Sequence, residues 1–353
     1  MTKVALLVPT LNRIDFVIRL INYYASINSP HPIFIGDASS QSSKDLVMKA
    51  AQDKLDIYYY HWEKLNDRKT MIKLAEKAQL ANVSNYCVFS GDDDFFVLES
   101  LSKCAEFLDE NLEYATAQGR AFIFKLNKDG PYGDLQIINI YWDKKELHGE
   151  TALERINEIT SNYWVPNFSV HRINEFKDDI SNGVDKIVDK MCGEYANSIT
   201  FAMRGKSKFI DCLYFARNVH SSIDHLSRGD WIKNEDFELS YIELINSVSE
   251  VLSRNHNLSL DDSNLKAKFA VEKLFAPIFI PENSKYLFIR KFIKKHFINN
   301  RGMIYSIYIF YRWMALKSIY FLPKSGFSKK SLLSQKSKYY KDVYSIIHSC
   351  EKK

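Results

Sequence analysis

Short apolar runs alternate with helical patterns over the first 120 residues, in repeating units of about 25–30 residues. The apolar runs are rich in β-branched and aromatic residues, and the segments between them carry apolar residues at a spacing of three to four. The predicted strands are residues 3–9, 32–37, 56–62, 85–89 and 114–119, and the predicted helices end near residues 29, 53, 82 and 111. This alternation favours a doubly wound α/β domain with a mainly parallel sheet.

Polar residues follow three of these predicted strands. Thr10, Asn12 and Arg13 follow the first strand, Asp37 ends the second, and Asp92–Asp94 follow the fourth. In open α/β sheets, ligands bind beyond the carboxyl ends of the strands. We therefore expect these three groups to meet at one edge of the sheet.

The three adjacent carboxylates, in the stretch SGDDDF, have two interpretations. A hard divalent cation such as Mn²⁺ or Mg²⁺ prefers carboxylate oxygens and keeps coordination sites for phosphate oxygens. The alternative is a solvated acidic turn that caps the helix starting near Val97. An apolar strand leads into the acids, and Phe95 and Phe96 follow them, which favours a buried strand end and a cation site.

The motifs VPTLNR, GDASS and SGDDDF, in this order, resemble the nucleotide-diphosphate-sugar-binding half of the GT-A-fold, family-two-like glycosyltransferases. The resemblance covers roughly residues 3–225, and it implies a GT-A-like mixed sheet. It further implies that Mn²⁺ or Mg²⁺ is a cofactor. The residues that it assigns to the nucleotide sugar are Pro9, Thr10, Asn12, Arg13, Asp37, Arg68, Asp92, Asp93 and Arg217, and its metal ligands are Asp92, Asp94 and His220.

Several of these residues also have ordinary structural interpretations. Pro9 and Thr10 end a strand, Asp37 is suited to cap the turn after it, and Arg13 is suited to the surface. Arg68 opens a predicted helix, where a solvated helix end is the simpler reading, and Asp93 is suited to cap the next helix.

The resemblance also implies a catalytic base downstream, at the start of a helix and before a strand that ends in Arg or His. Glu194 fits this order, because Gly193 precedes it and Arg217 and His220 follow. Such a carboxylate removes the proton of the acceptor hydroxyl. Tyr195 stands where the family commonly has Asp, and the literal Glu235–Asp236 pair makes Asp236 the rival base, although it follows His220.

Other phosphate chemistries fit the sequence less well. PTLNR has no glycine to cradle a triphosphate, and the acids do not follow the first strand as in aspartyl phosphatases. The motifs of P-loop enzymes, α/β-hydrolases and zinc proteases do not occur.

The C-terminal part differs from the rest in charge. Residues 285–353 hold 16 Lys and Arg but only Asp342 and Glu351 as acids, whereas the whole chain has a net charge of +5. Residues 286–297 are amphipathic and basic, a pattern typical of a helix on an anionic membrane surface. The alternative is a helix packed on the acidic α/β body, and no nucleic-acid motif accompanies the charge. Residues 303–322 contain Arg312 and Lys317 and are not predicted to span a membrane.

We therefore expect three parts: a GT-A-like domain over 1–225, a helical extension over 226–284, and a basic aromatic helical region over 285–353. The five scattered cysteines and the short N-terminal apolar run indicate a cytoplasmic protein. The basic region over 285–353 adds a peripheral position at the inner face of the plasma membrane. The expected activity is metal-dependent, inverting sugar transfer from a nucleotide-diphosphate donor to a glycan or lipid-linked acceptor, as in capsule or lipopolysaccharide synthesis. The alternatives are a non-catalytic nucleotide-sugar-binding or assembly protein and another nucleotide-dependent transferase.

Overall fold

A computed structural model describes residues 1–183, 185–220, 235–256, 258–279 and 327–351. The N-terminal half alternates strands and helices in the predicted order. These elements are β1 (Val4–Thr10), α1 (Ile14–Ser26), β2 (Ile33–Asp37), α2 (Lys44–Ala51), β3 (Ile57–His61), α3 (Asp67–Ala81), β4 (Tyr86–Phe89), β5 (Phe95–Phe96) and α4 (Leu98–Glu110).

The chain then adds longer strands and a helical layer. These elements are β6 (Tyr114–Leu126), β7 (Leu135–Trp142), α5 (Ala152–Ser161), β8 (Val170–Arg172), α6 (Ile173–Ser181), α7 (Lys190–Arg204), β9 (Lys206–Asn218), α8 (Phe237–His256) and α9 (Leu260–Phe279). The C-terminal helices are α10 (Lys329–Leu333) and α11 (Tyr340–Ser349).

The described strands form one sheet in the order β3-β2-β1-β4-β8-β6-β9-β5, with β7 paired to β6. The strands β1 to β4 are parallel, as are β6 and β9, whereas β8 is antiparallel to both β4 and β6. The GT-A-like mixed α/β architecture predicted from the sequence is therefore confirmed. The expectation of a mainly parallel sheet holds only for the N-terminal half, because β5, β7 and β8 pair antiparallel.

The parallel strands are continuous apolar runs in the sequence because both of their faces are buried. Val4 to Val8 of β1 are wholly buried, since helices cover both faces of the sheet. One face packs against α1, α2 and α4, and the other packs against α3, α6 and Phe201 of α7.

The helices after β9 form a second apolar cluster. Leu244 and Val248 of α8 and Phe275 of α9 pack with Met191 and Tyr195 of α7. The predicted helical extension thus packs beside the helix that carries Glu194. The proposed boundary at residue 225 lies outside the described residues.

The last described segment belongs to the core of the N-terminal half. Phe327, Val343 and Ile346 are buried in the same cluster as α1 and β5. The basic amphipathic stretch 286–297 and the apolar stretch 303–322 lie outside the described residues. Within the described part of the chain, no helix has the length and apolar character needed to cross a membrane.

Candidate active site

The acidic turn, which we define as residues 91–94, connects β4 to β5 and is buried. Asp92, Asp93 and Asp94 are 4%, 7% and 4% exposed. A side chain at Gly91 would place its Cβ 2.7 Å from Oδ1 of Asp93 and 2.9 Å from Oδ2 of Asp94. The glycine thus lets two carboxylates approach the backbone. The solvated-turn interpretation is wrong, because all three acids are buried.

The ends of β1 and β9 supply the partners of the first two acids. Thr10 Oγ1 donates to Asp92 Oδ2 at 2.7 Å, and Arg13 Nη2 lies 3.2 Å from Asp92 Oδ1. Arg13 Nη2 also donates to Asp93 Oδ2 at 2.7 Å, and His220 Nε2 lies 2.8 Å from the same oxygen. The predicted meeting of the first and fourth strand ends is confirmed.

These contacts contradict the interpretation of Asp93 as a helix cap and of Arg13 as a surface charge. Asp93 does not cap α4, whose N-cap is Val97 with no side-chain cap hydrogen bond. Arg13 is not a solvated surface charge, since it contacts two buried carboxylates and stacks over Phe16 at 4.4 Å.

The three carboxyl groups of the acidic turn differ in pKa. Burial and the Asp93 charge raise the pKa of Asp92 to about 7. Burial would also raise the pKa of Asp93, but hydrogen bonds from His220 and Arg13 outweigh it and hold this pKa at about 2. Burial, followed by the Asp93 charge, raises the pKa of Asp94 well above its usual range. Burial and mutual repulsion therefore favour the neutral forms of Asp92 and Asp94, whereas Asp93 keeps its charge.

The third acid faces the end of β9. The backbone N–H of Asn218 donates to Asp94 Oδ1 at 3.1 Å. Burial would lower the pKa of Arg217, but its contact with Tyr141 and the charges of Asp94 and Glu194 outweigh burial and raise it. Arg217 donates to the Tyr141 hydroxyl, and its guanidinium lies over the rings of Tyr141 and Phe168.

Glu194 lies in the second turn of α7, one turn later than expected, because Asp189 caps the helix by accepting from the Cys192 N–H. Its Oε1 accepts a hydrogen bond of 2.7 Å from the Tyr163 hydroxyl. The rival Asp236 is exposed just before α8. The charge of Glu194 acts on Arg217, which places Glu194 near the end of β9.

Asp37 lies at the end of β2, opposite Thr10 of β1. It is buried, accepts from the Ser39 N–H at 2.9 Å and accepts from the Tyr59 hydroxyl. Burial and the Asp37 hydrogen bond raise the pKa of Tyr59 to about 12. The expected capping of the turn by Asp37 is confirmed. Ser39 Oγ in turn accepts from the Asn12 N–H at 2.8 Å, which brings the second strand end to the first.

Arg68 supports α7 and does not extend from a solvated helix end. Its terminal nitrogens donate to the carbonyl oxygens of Ile187 and Asn182, each at 3.2 Å. Its side chain lies close enough to Gly193 that a Cβ there would be 3.0 Å from Arg68 Cδ. The solvated interpretation is wrong because the α3–α7 packing buries the guanidinium and lowers its pKa.

Three side chains at the site were not predicted. Tyr163 and Tyr141 lie in segments that carry no motif, and Asn218 follows the predicted Arg217. Each is recognisable only from the contacts that the folded chain makes with Glu194, Arg217 or Asp94.

The oxygen donors at this edge suit a hard divalent cation. The amide of Asn218, buried beside Asp94, has neither its oxygen nor its nitrogen hydrogen-bonded. Among the described residues, no group of three or more His, Cys, Asp or Glu side chains is placed to hold a metal ion. The donor types fit Mg²⁺ or Mn²⁺, but fewer than three such side chains would contribute, and phosphate oxygens would complete the coordination.

Comparison with known proteins identifies the fold. No family model matches the chain, and no curated protein matches it. The crystal structure of S. aureus TarS 1–349 superposes with a TM-score of 0.50 at 15% identity, covering 86% of this chain and 77% of that one. This chain has the TarS fold.

Two further TarS structures were also matched. The complex with UDP-GlcNAc has a TM-score of 0.48 at 15% identity and covers 86% of this chain and 78% of that chain. The complex with UDP has a TM-score of 0.46 at 17% identity and covers 78% of this chain and 72% of that chain.

Proposed function

We propose that this protein is a glycosyltransferase that moves a sugar from a nucleotide-diphosphate donor to a hydroxyl of a glycan or lipid-linked glycan. The observation that carries the proposal is the convergence of Thr10, Arg13 and His220 on the buried carboxylates of Asp92 and Asp93 at the strand ends. Cations at a buried acidic turn suit a diphosphate, and a carboxylate such as Glu194 suits an acceptor hydroxyl.

The donor is assigned to the edge formed by β1, β2 and the acidic turn. Pro9, Thr10, Asn12, Arg13 and Asp37 line this edge in the structure or lie directly at the strand ends. We take UDP as the first nucleotide to test, because the matched TarS structures include complexes with UDP-GlcNAc and UDP.

The proposed reaction is a single displacement with inversion. Glu194 accepts the proton of the acceptor hydroxyl, whose oxygen forms a bond to the anomeric carbon. The bond from that carbon to the donor diphosphate breaks on the opposite face, and the diphosphate leaves with the electron pair. Arg217, on which the charges of Asp94 and Glu194 both act, is the cation proposed to attract this developing negative charge.

Mn²⁺ or Mg²⁺ is proposed to bind with the donor. Of the assigned ligands Asp92, Asp94 and His220, fewer than three would reach one ion, and the amide oxygen of Asn218 is a further oxygen donor beside Asp94. When bound, the ion would neutralise the leaving diphosphate. Its positive charge would also oppose the burial and the Asp93 repulsion that raise the pKa values of Asp92 and Asp94.

A thermal-shift screen of UDP-, GDP-, CMP- and dTDP-sugars, with and without Mn²⁺, tests the donor assignment. We expect one nucleotide to raise the melting temperature, and to do so more strongly with Mn²⁺. Calorimetry should then show that Asp92→Asn and Asp94→Asn remove the metal-dependent part of binding, while exposed Asp45→Asn leaves it unchanged. Unaltered metal-dependent binding in both site variants would refute the metal assignment.

The acceptor is proposed to be a cell-surface polysaccharide precursor, such as a capsule or lipopolysaccharide intermediate. The support is the resemblance of the three strand-end motifs to enzymes of that type. Incubation of the protein with labelled donor and isolated lipid-linked precursors tests this. Transfer to these precursors supports the proposal, and hydrolysis without transfer contradicts it.

A further inference from the structure

Arg19 is a buried cation that contacts the backbone of the acidic turn. It lies in α1 and is 1% exposed. Its Nη2 donates to the backbone carbonyl oxygen of Asp93 at 2.7 Å. Its positive charge also lowers the pKa of Asp92, although burial and Asp93 have larger opposing effects.

The other end of the same guanidinium contacts the C-terminal segment. Arg19 Nη1 donates to the carbonyl oxygen of Pro131 at 2.7 Å and lies 3.7 Å from Cys350 Sγ. The Cys350 carbonyl oxygen accepts from the Gly133 N–H at 2.9 Å, so the β6–β7 connection and the end of α11 are also joined directly. One planar group therefore joins the acidic turn to two segments distant in sequence.

Two tyrosines of α1 also contact β5. The Tyr23 ring packs edge-to-face on Phe95 at 5.0 Å and shares a buried cluster with Ile346 of α11. The Tyr24 hydroxyl accepts from the Phe96 N–H at 3.0 Å. Arg19, Tyr23 and Tyr24 of α1 thus contact the acidic turn or β5. Arg19 and Tyr23 also lie against the C-terminal segment that contains α11.

We propose that Arg19 is a positioning residue for the acidic turn, and that docking of α11 on α1 sets the order of that turn and hence donor affinity. The predicted effect on donor affinity rests on the proposed function. The predicted effect on the order of the acidic turn does not. A guanidinium reaches Asp93 and Pro131 together because its nitrogens diverge in a fixed plane, whereas a lysine has a single nitrogen.

Hydrogen exchange in the full-length protein without ligand tests the positioning role. Arg19→Lys should increase amide exchange in residues 91–96 by about tenfold or more, because a hydrogen bond from a charged donor to a buried carbonyl is lost. Exchange in β1 serves as the internal reference. A wild-type exchange rate in residues 91–96 of Arg19→Lys would overturn the proposal.

A second pair of variants tests the contribution of α11. Ile346 is wholly buried against the core, whereas Tyr344 on the same helix is 52% exposed. Ile346→Ala should increase exchange both in α11 and in residues 91–96, and Tyr344→Ala should change neither. Faster exchange confined to α11 in Ile346→Ala would overturn the coupling. In the double variant Arg19→Lys/Ile346→Ala, exchange in residues 91–96 should increase by less than the two single effects combined, because both changes act through the same contact.

Donor binding supplies the functional measurement. With UDP and Mn²⁺ as the probe, calorimetry should give about tenfold weaker affinity for Arg19→Lys and a smaller loss for Ile346→Ala. Unchanged UDP affinity in Arg19→Lys would overturn the link to the donor. If the wild-type protein does not bind UDP, the UDP assignment fails, whereas the exchange rates still decide the positioning role.

Discussion

The hydroxyl of Tyr163 donates a hydrogen bond of 2.7 Å to Oε1 of Glu194. Burial, together with the Glu194 charge, raises the pKa of Tyr163 well above its usual range, so the phenol stays a donor at any working pH. The same hydroxyl lies 3.2 Å from Ser198 Oγ, one turn further along α7. The orientation of the proposed base is therefore fixed by a side chain from the loop after α5.

Removal of this hydrogen bond should slow the reaction and shift its pH dependence. In Tyr163→Phe we expect kcat to fall about tenfold, because the carboxylate is no longer held toward the acceptor. A hydrogen bond to the charged form lowers a carboxylate pKa, so its loss should move the acid limb of kcat/KM to higher pH. Tyr344→Phe, which changes an exposed ring, is the control. A wild-type pH profile in Tyr163→Phe would contradict this role.

Glu194→Gln should abolish transfer without abolishing donor binding. General-base catalysis contributes about 10²–10⁴-fold, so a decrease of kcat by about a thousandfold is expected. The affinity for the nucleotide should change little, as measured by calorimetry. Asp236→Asn is the comparison, because Asp236 is the rival carboxylate and is exposed. If Asp236→Asn loses activity and Glu194→Gln does not, the base is Asp236. If neither changes an observed activity, the base assignment is wrong.

The lowered pKa of His171 in β8 makes the free energy of unfolding depend on pH. Burial lowers the pKa of His171 to about 4, and its Nε2 lies 2.9 Å from the Pro166 carbonyl oxygen. The unfolded chain has a His pKa of about 6.5, so it binds the proton first as the pH falls. This group should therefore lower the free energy of unfolding by about 2 kcal/mol between pH 7 and pH 5.

The variant His171→Gln isolates that contribution. It removes the titrating group and retains an N–H donor. Urea unfolding at pH 7 and pH 5 should show a pH dependence smaller by about 2 kcal/mol in the variant than in the wild type. An equal pH dependence in the two proteins would contradict a neutral buried His171.

Membrane association through residues 285–353 stays a prediction, and the structure changes how to test it. Deletion of the whole region would also remove α11, which packs on α1. Substitution by Gln of Arg290, Lys291, Lys294 and Lys295 should instead reduce binding to anionic vesicles a hundredfold or more, at about 1 kcal/mol per charge.

The control for that experiment is a set of exposed basic residues in the described C-terminal segment. They are Lys329, Lys330, Lys336 and Lys341. Their substitution by Gln should have a smaller effect on sedimentation with phosphatidylserine vesicles. Equal losses from both sets would mean that total charge, and not the amphipathic stretch, governs binding.

The sequence predicted the N-terminal architecture well because each buried parallel strand is an uninterrupted apolar run. It failed at one glycine. Gly119 was taken as the end of a strand, yet β6 continues to Leu126. A Cβ at Gly119 would lie 2.6 Å from the Cys212 carbonyl oxygen, so the glycine permits close approach of β9 and does not end β6.

The candidate site was predictable at the strand ends and unpredictable elsewhere. Thr10, Arg13 and the acidic turn follow apolar runs, so their convergence follows from parallel pairing. Tyr163 and Arg19 lie far from their partners in sequence, and their patterns are those of a loop and an ordinary amphipathic helix. Their roles depend on tertiary contacts that periodicity does not encode.

The contact between Arg19 and Cys350 joins residues separated by 331 positions. During synthesis, α1 leaves the ribosome long before α11, and domains generally begin to fold from the N-terminus. A nascent chain can therefore pair β1 to β4 while the support beneath Asp93 is still incomplete. The support is complete only when residues 340–350 have also left the ribosome, so a chain cut before α11 would keep the paired strands but have a less ordered acidic turn.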